Sequence, residues 1–130
     1  MVQQYLYIST APDLAPGVVD DILASCRRNN SQRGVTGLLL YNGRNFLQLL
    51  EGTEVDLLWV MRRIGADPRH SGISILERTE AETRACPDWS MRRIRLAETM
   101  DDRQAALDAQ LPEAIQGNLR RTMLNFAALN

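Results

Sequence analysis

The dipeptide Asn42-Gly43 stands between two apolar runs, Val35-Thr36-Gly37-Leu38-Leu39-Leu40-Tyr41 and Arg44-Asn45-Phe46-Leu47-Gln48-Leu49-Leu50. Asn-Gly accepts the positive φ angles of a tight turn whose twist matches that of paired strands, so the pattern specifies a β-hairpin. A two-residue turn pairs Tyr41 with Arg44 and, counting back, sets Gly37 opposite Gln48. The second run is apolar on both faces, as expected of an interior strand.

The flanking segments extend this hairpin into a domain. Residues 3–9, Gln-Gln-Tyr-Leu-Tyr-Ile-Ser, read as another interior strand. Pro16 suits a first helical turn, and Val18, Ile22 and Cys26 form an apolar stripe with Val19 and Leu23 beside it, running to about Arg28. Residues 29–34 then form a polar loop. After a turn at Glu51-Gly52-Thr53, Leu57, Val60, Met61 and Ile64 mark a second amphipathic helix closed by Asp67-Pro68. Ile73–Leu76 reads as a strand, and Trp89–Leu96, after Pro87, as another. Strand, helix, hairpin, helix, strand, strand predicts an α+β sandwich of ferredoxin-like type. Its mixed sheet would have about five strands, with two helices on one face. Thr99 with Asp102 resembles a helix start, Pro112 can begin a further helix, and Ile115, Leu119, Met123 and Phe126 share a helical stripe. Residues 1–98 are therefore expected to form the domain, and residues 99–130 a C-terminal helical appendage.

Composition removes several chemistries. All 15 basic residues are arginine, so no lysine is available for a Schiff base or a Walker-type phosphate contact. One histidine (His70) and two separated cysteines (Cys26, Cys86) form no CxxC, HExxH or mixed cluster, which argues against a metal site. A net charge of −1 lacks the basic footprint of a nucleic-acid binder. No apolar run approaches the ~20 residues of a membrane span. No signal-peptide pattern opens the chain, and two unclustered cysteines fit a reducing cytoplasm.

A few residues are odd for a plain core. Gln48 interrupts an otherwise apolar interior strand, and a buried amide left unpaired costs about 1–3 kcal/mol. Gly37 opposite it leaves room on that face, though a structural amide beside a bulge is an equally physical account. Tyr7 shares a face with Tyr5 and Ser9, and a buried tyrosine hydroxyl needs a partner that Gln48 could supply. Asn29 and Asn30 at a helix end are common as left-handed caps. Arg69-His70 reads most simply as a solvated loop. Trp89 and Met91 alternate onto one face of the late strand, where core packing is the ordinary role. Cys26 reads as a small buried hydrophobe.

Taken in order, these positions resemble the BLUF domain, a flavin-binding blue-light sensor. The resemblance runs through Tyr-Leu-Tyr-Ile-Ser (residues 5–9), Ile22–Asn30, Gly34–Tyr41, Phe46–Gly52, Asp67–His70 and Trp89-Ser90-Met91, covering about residues 3–97. It implies that the chain is a photoreceptor and not an enzyme. Tyr7 falls on the family's photoactive tyrosine and Gln48 on the glutamine between that tyrosine and the ring. Asn30 falls on the asparagine that meets the ring's polar edge, with Asn29 a second contact. Arg69 falls near the other carbonyl and His70 near the ring's periphery. Helices bearing Ile22 and Ile64 would wall the ring, and Trp89 and Met91 fall on the switching segment. Cys26 stands where many members carry serine, which bears on hydrogen bonding behind Gln48. The cofactor implied is FAD, with FMN left open. Light-driven electron and proton transfer from Tyr7 by way of Gln48 would rearrange the hydrogen bonds. The late strand and the helices of residues 99–130 would carry the change outward.

If these 130 residues are the whole chain, no room is left for a catalytic output domain. The response is therefore expected to pass to a downstream protein or through a homodimer or higher oligomer, with no direct contact to nucleic acid or membrane. A ferredoxin-like small-molecule-binding or acylphosphatase-like protein is the alternative. It would use the Arg and Asn residues as anion ligands, but it shows no Gly-rich phosphate cradle and leaves Gln48 unexplained.

Overall fold

A computed structural model describes residues 1–129. The element order is β1 (Val2–Thr10), α1 (Pro16–Arg33), β2 (Thr36–Tyr41), β3 (Asn45–Gly52), α2 (Glu54–Gly65), β4 (Ser71–Ala81), β5 (Arg92–Arg93), α3 (Met100–Gln110) and α4 (Gly117–Ala128). The strands form one mixed sheet in the order β4-β1-β3-β2-β5. Its first four strands pair antiparallel, and β5 joins β2 in parallel. This is the expected α+β sandwich of ferredoxin-like type with five strands.

The hairpin forms, but two residues out of the expected register. Tyr41 pairs with Phe46, Leu39 with Gln48, and Gly37 with Leu50. The cause is local. The Asn42 side-chain oxygen accepts from the amides of Arg44 (3.0 Å) and Asn45 (2.8 Å), and the Asn42 amide donates to the Asn45 carbonyl (3.2 Å). Those bonds widen the connection into a loop across residues 42–45, with Gly43 at φ 89°. A slip of two residues preserves the faces, because side chains alternate with period two. Gly37 and Gln48 therefore still share a face, but Gly37 does not open space there. A Cβ at Gly37 would collide with the Leu49 carbonyl, so the glycine permits close strand approach.

Side-chain alternation divides the core into two. Tyr5, Tyr7, Leu39, Phe46 and Leu50 point to the face covered by Val19, Ile22 and Cys26 of α1 and Leu57, Val60 and Ile64 of α2. Leu6, Leu38, Leu40, Leu47 and Leu49 point to the opposite face. There they meet Leu107 of α3, Leu119, Met123 and Phe126 of α4, and Leu111 and Ile115 between the two helices. The C-terminal helices thus supply the second layer of cover.

Three boundaries differ from expectation. First, α1 continues through Asn29 and Asn30 to Arg33 and stops at Gly34, so both asparagines belong to its last turns. Second, β4 runs on from Leu76 through Glu-Arg-Thr-Glu to Ala81, because an edge strand needs no apolar run. Third, the expected strand 89–96 shrinks to Arg92–Arg93. The carbonyls of Trp89, Ser90 and Met91 are taken instead by the Gly37 amide (2.8 Å), Asn30 Nδ2 (2.7 Å) and Arg27 Nε (3.0 Å). Near the C-terminus, Pro112 opens a turn closed by the Ile115 amide, and α4 starts only at Gly117.

Two outcomes follow. Gly37→Ala should lower stability by about 1–3 kcal/mol, the usual cost of overpacking, read from its denaturant midpoint. A chain cut after Glu98 should self-associate on size-exclusion chromatography, since the apolar residues of the sheet's second face lose their cover.

Candidate functional site

Gln48 is 1% exposed at the centre of β3, between Tyr7 of β1 and Leu39 of β2 in the sheet register. Its Nε2 faces two sulfurs, Cys26 Sγ of α1 at 3.4 Å and Met91 Sδ at 3.7 Å. Its Oε1 is buried without a partner. Thioether and thiol sulfurs are weak acceptors, so the amide is held loosely at one end and not at all at the other. The expected Gln48–Tyr7 pairing is therefore one of adjacency: the two residues lie directly across the β1–β3 ladder, and Oε1 accepts no hydrogen bond from the phenol.

Tyr7 is also 1% exposed. Burial first, then the nearby Cys26 and Asp67, push its pKa well above the ordinary tyrosine value, so the phenol stays protonated at neutral pH. Burial also raises the Cys26 thiol, with the Gln48 hydrogen bond acting in the opposite direction. The result is a dry, uncharged pair of groups between sheet and helix.

A narrow cavity of ≈ 20 Å³ reaches this point, lined by Tyr7, Gln48, Leu39, Phe46, Ile22, Cys26, Asn29, Ile64 and His70, among others. It continues outward between α1 and α2 into a groove of ≈ 440 Å³ bordered by Arg28, Arg63, Arg69 and Asp67. The inner part is about the size of a single water molecule.

Asn30, next to the cavity-lining Asn29 in the last turns of α1, is fully buried. Its Nδ2 donates to the Ser90 carbonyl, while its Oδ1 has no partner. Asn30 and Gln48 thus each present an unmet buried acceptor, one from α1 and one from β3. Native interiors rarely leave such atoms unpaired, and a ligand carrying an N–H donor would satisfy them. With the apolar walls of Ile22, Ile64, Leu39 and Phe46, this pair of acceptors suits a planar heteroaromatic ring with one polar edge, which is the character of a flavin.

His70 is not in a solvated loop. It is 9% exposed, its Nδ1 lies 2.7 Å from Ser9 Oγ, and its ring meets Phe46 edge-on at 5.9 Å. Burial lowers its pKa, which keeps the imidazole neutral. Arg69 lies at the outer groove, with Nε and Nη2 both donating to Asp67 and Nη2 reaching Ser25 Oγ at 3.2 Å. That side-chain hydrogen bonding holds the Asp67 carboxyl below its ordinary value. Sequence reasoning treated Asp67 only as a helix stop and passed over Ser25, because neither gains meaning until folding brings Arg69 alongside.

Trp89 and Met91 do not share a face. Met91 is 1% exposed and joins the core under α1 and α2, beside Gln48. Trp89 packs against the core under α3 and α4, with Arg92 stacked over its ring at 4.8 Å. With no ladder to impose alternation, the segment turns over between them.

Residues 2–92 match the family model described as "BLUF: Sensors of blue-light using FAD". The chain is 38% identical over 92 residues to the blue light- and temperature-regulated antirepressor BluF of Escherichia coli (strain K12), covering 69% of this chain and 23% of that protein. It is 35% identical over 89 residues to photoactivated adenylate cyclase subunit alpha of Euglena gracilis, covering 68% of this chain but 9% of the subunit. The chain thus spans under a quarter of either relative. The dark-state structure of BlrB, a BLUF protein, matches with a TM-score of 0.70 and 34% identity over 96% of both chains. With the buried Tyr7–Gln48 pair and the cleft between α1 and α2 in place, the chain belongs to the BLUF family of flavin-using blue-light sensors.

Proposed function

We propose that Tyr7 and Gln48 are the light-responsive pair of this sensor, that Asn30 and Asn29 hold the flavin's polar edge, and that Ile22 and Ile64 wall its ring. The carrying observation is the Gln48 amide, dry, adjacent to Tyr7, weakly held by two sulfurs and unmet at Oε1. Arg69 and His70 bound the outer and inner ends of the cleft. The family description and the arginine-bordered groove favour FAD as the cofactor.

When bound, the flavin supplies a chromophore that becomes a strong oxidant on absorbing blue light. Tyr7 is the residue with an electron and a proton to give. Its raised pKa keeps that proton at Oη in the dark, and Gln48, directly across the ladder, is the side chain by way of which it can pass toward the ring. The electron and the proton then return to Tyr7, leaving no net redox change, and Gln48 settles in a rearranged orientation or tautomer. Two weak sulfur contacts make that change inexpensive, and turning the amide necessarily alters the contact with Met91. Asn30 adds a direct link, since one amide can meet the cofactor and the Ser90 carbonyl together.

The signal would leave through residues 89–91. Trp89 sits on the core formed with α3 and α4, so a shift that begins at Met91 reaches residues 99–130 through the same segment. We treat residues 1–98 as the sensor and the C-terminal helices as its output to a downstream protein or a second copy. No helix among the described residues is long and apolar enough to cross a membrane. With two buried free thiols as well, we place the protein in the cytoplasm.

Tyr7→Phe should bind flavin and remain yellow but lose the red shift under blue light, because phenylalanine has no hydroxyl proton. A normal light-minus-dark spectrum in that variant rejects the role of Tyr7. Gln48→Leu should likewise retain flavin with no shift, and a full shift would leave Gln48 a structural amide. A parent protein that stays colourless after reconstitution with FAD would overturn the function as a whole.

A further inference from the structure

The face of the sheet away from the cleft holds a fully buried carboxylate, Glu51, three residues beyond Gln48 on β3. Both of its oxygens are engaged by consecutive backbone amides, Oε2 by Ala85 (2.8 Å) and Oε1 by Cys86 (2.7 Å). Gln4 Nε2 of β1 also donates to Oε2 at 2.8 Å, and Gln4 Oε1 accepts from Thr79 Oγ1 of β4 at 2.8 Å. Arg84 adds a further tie, donating to the Glu51 carbonyl (3.2 Å) and to Thr36 Oγ1 (2.9 Å). A polar chain therefore crosses the sheet from β4 through β1 and β3 and ends on the backbone of residues 85 and 86.

Those residues lead into the segment that places Met91. The segment is gripped at two points. Its amides at 85 and 86 are held by Glu51, and its carbonyls at 89, 90 and 91 are held by Gly37, Asn30 and Arg27. Only Pro87 and Asp88 lie between the grips. A buried carboxylate bonded to backbone N–H groups is a strong, directional anchor, because the charge makes each bond stronger and burial makes its loss costly.

We propose that Glu51 is a positioning residue for the light response: by fixing residues 85–86 it sets how firmly Met91 meets Gln48, and so how long the light-adapted arrangement lasts. The proposal rests on Gln48 being the side chain that switches. To revert in the dark, the Gln48 amide must turn past Met91 Sδ and Cys26 Sγ. A pinned Met91 obstructs that turn, and a segment loosened at its upstream grip obstructs it less.

The test is Glu51→Gln in the full chain with flavin bound. Glutamine can accept one of the two amides through its oxygen, but its NH2 group opposes the other. The dark spectrum and the size of the red shift should match the parent. Dark recovery should be on the order of fivefold faster, as expected if the net worth of one ordinary hydrogen bond is lost from the barrier. Hydrogen exchange at residues 88–91 should quicken in the dark protein. Gln4→Met removes only the lateral support, so its recovery should quicken by less, and it decides the matter if Glu51→Gln does not fold. Recovery within about twofold of the parent, or slower, overturns the proposal even if the melting temperature falls. A parent that shows no red shift would instead refute the role of Gln48. The dark exchange at 88–91, which needs no light, would still report whether Glu51 holds the segment.

Discussion

Tyr7 and Gln48 are neighbours because β1 and β3 pair antiparallel at the middle of the sheet, with Leu6 against Leu49 and Ile8 against Leu47 on either side. Those leucines are fully buried toward α3 and α4, while Tyr7 and Gln48 face α1 and α2. A single-residue slip would exchange the two sets, placing the polar pair against the C-terminal helices and three leucines in the cleft. Burial on both faces therefore holds the register from two sides at once. The site's geometry depends on this pairing more than on any contact made inside the cleft.

The second dependency is backbone that forms no sheet. Residues 89–91 offer three consecutive carbonyls, and all three are taken by groups belonging to α1 or to β2. Two of those donors are side chains, Arg27 and Asn30, and side chains move more readily than a strand ladder. The segment is thus held at every carbonyl without being locked into the cooperative pairing that makes sheet interiors rigid. That is the physical condition for a part of a protein with two packings of similar free energy.

Much of this was legible in residue types and spacing. Polar groups inside apolar strands marked Gln48 and Tyr7, and the order of elements predicted the sheet. The register was misread because Asn42 uses its side-chain oxygen to cap two amides, a bond that the Asn-Gly pattern does not announce. The late strand was overread because its hydrogen bonds go to α1, some sixty residues away in the chain. The last half of β4 was missed because a solvent-facing edge strand carries charges in place of apolar alternation. Asp67, Ser25 and Glu51 acquire roles only from what folding sets beside them. Glu51 was read as part of a turn, yet it is the most completely bonded carboxylate near the segment.

Met91 and Trp89 lie two residues apart on opposite sides of one sheet, each inside a different core. The input chemistry and the output surface therefore share almost no side chains. What covers Leu6, Leu38 and Leu40 is constrained by shape and apolarity alone, and what lines the cleft is constrained by the cofactor. Such a sheet is modular: another pair of helices, or the face of a separate domain, could replace α3 and α4 over the leucines and pack against Trp89 without a single change in the cleft.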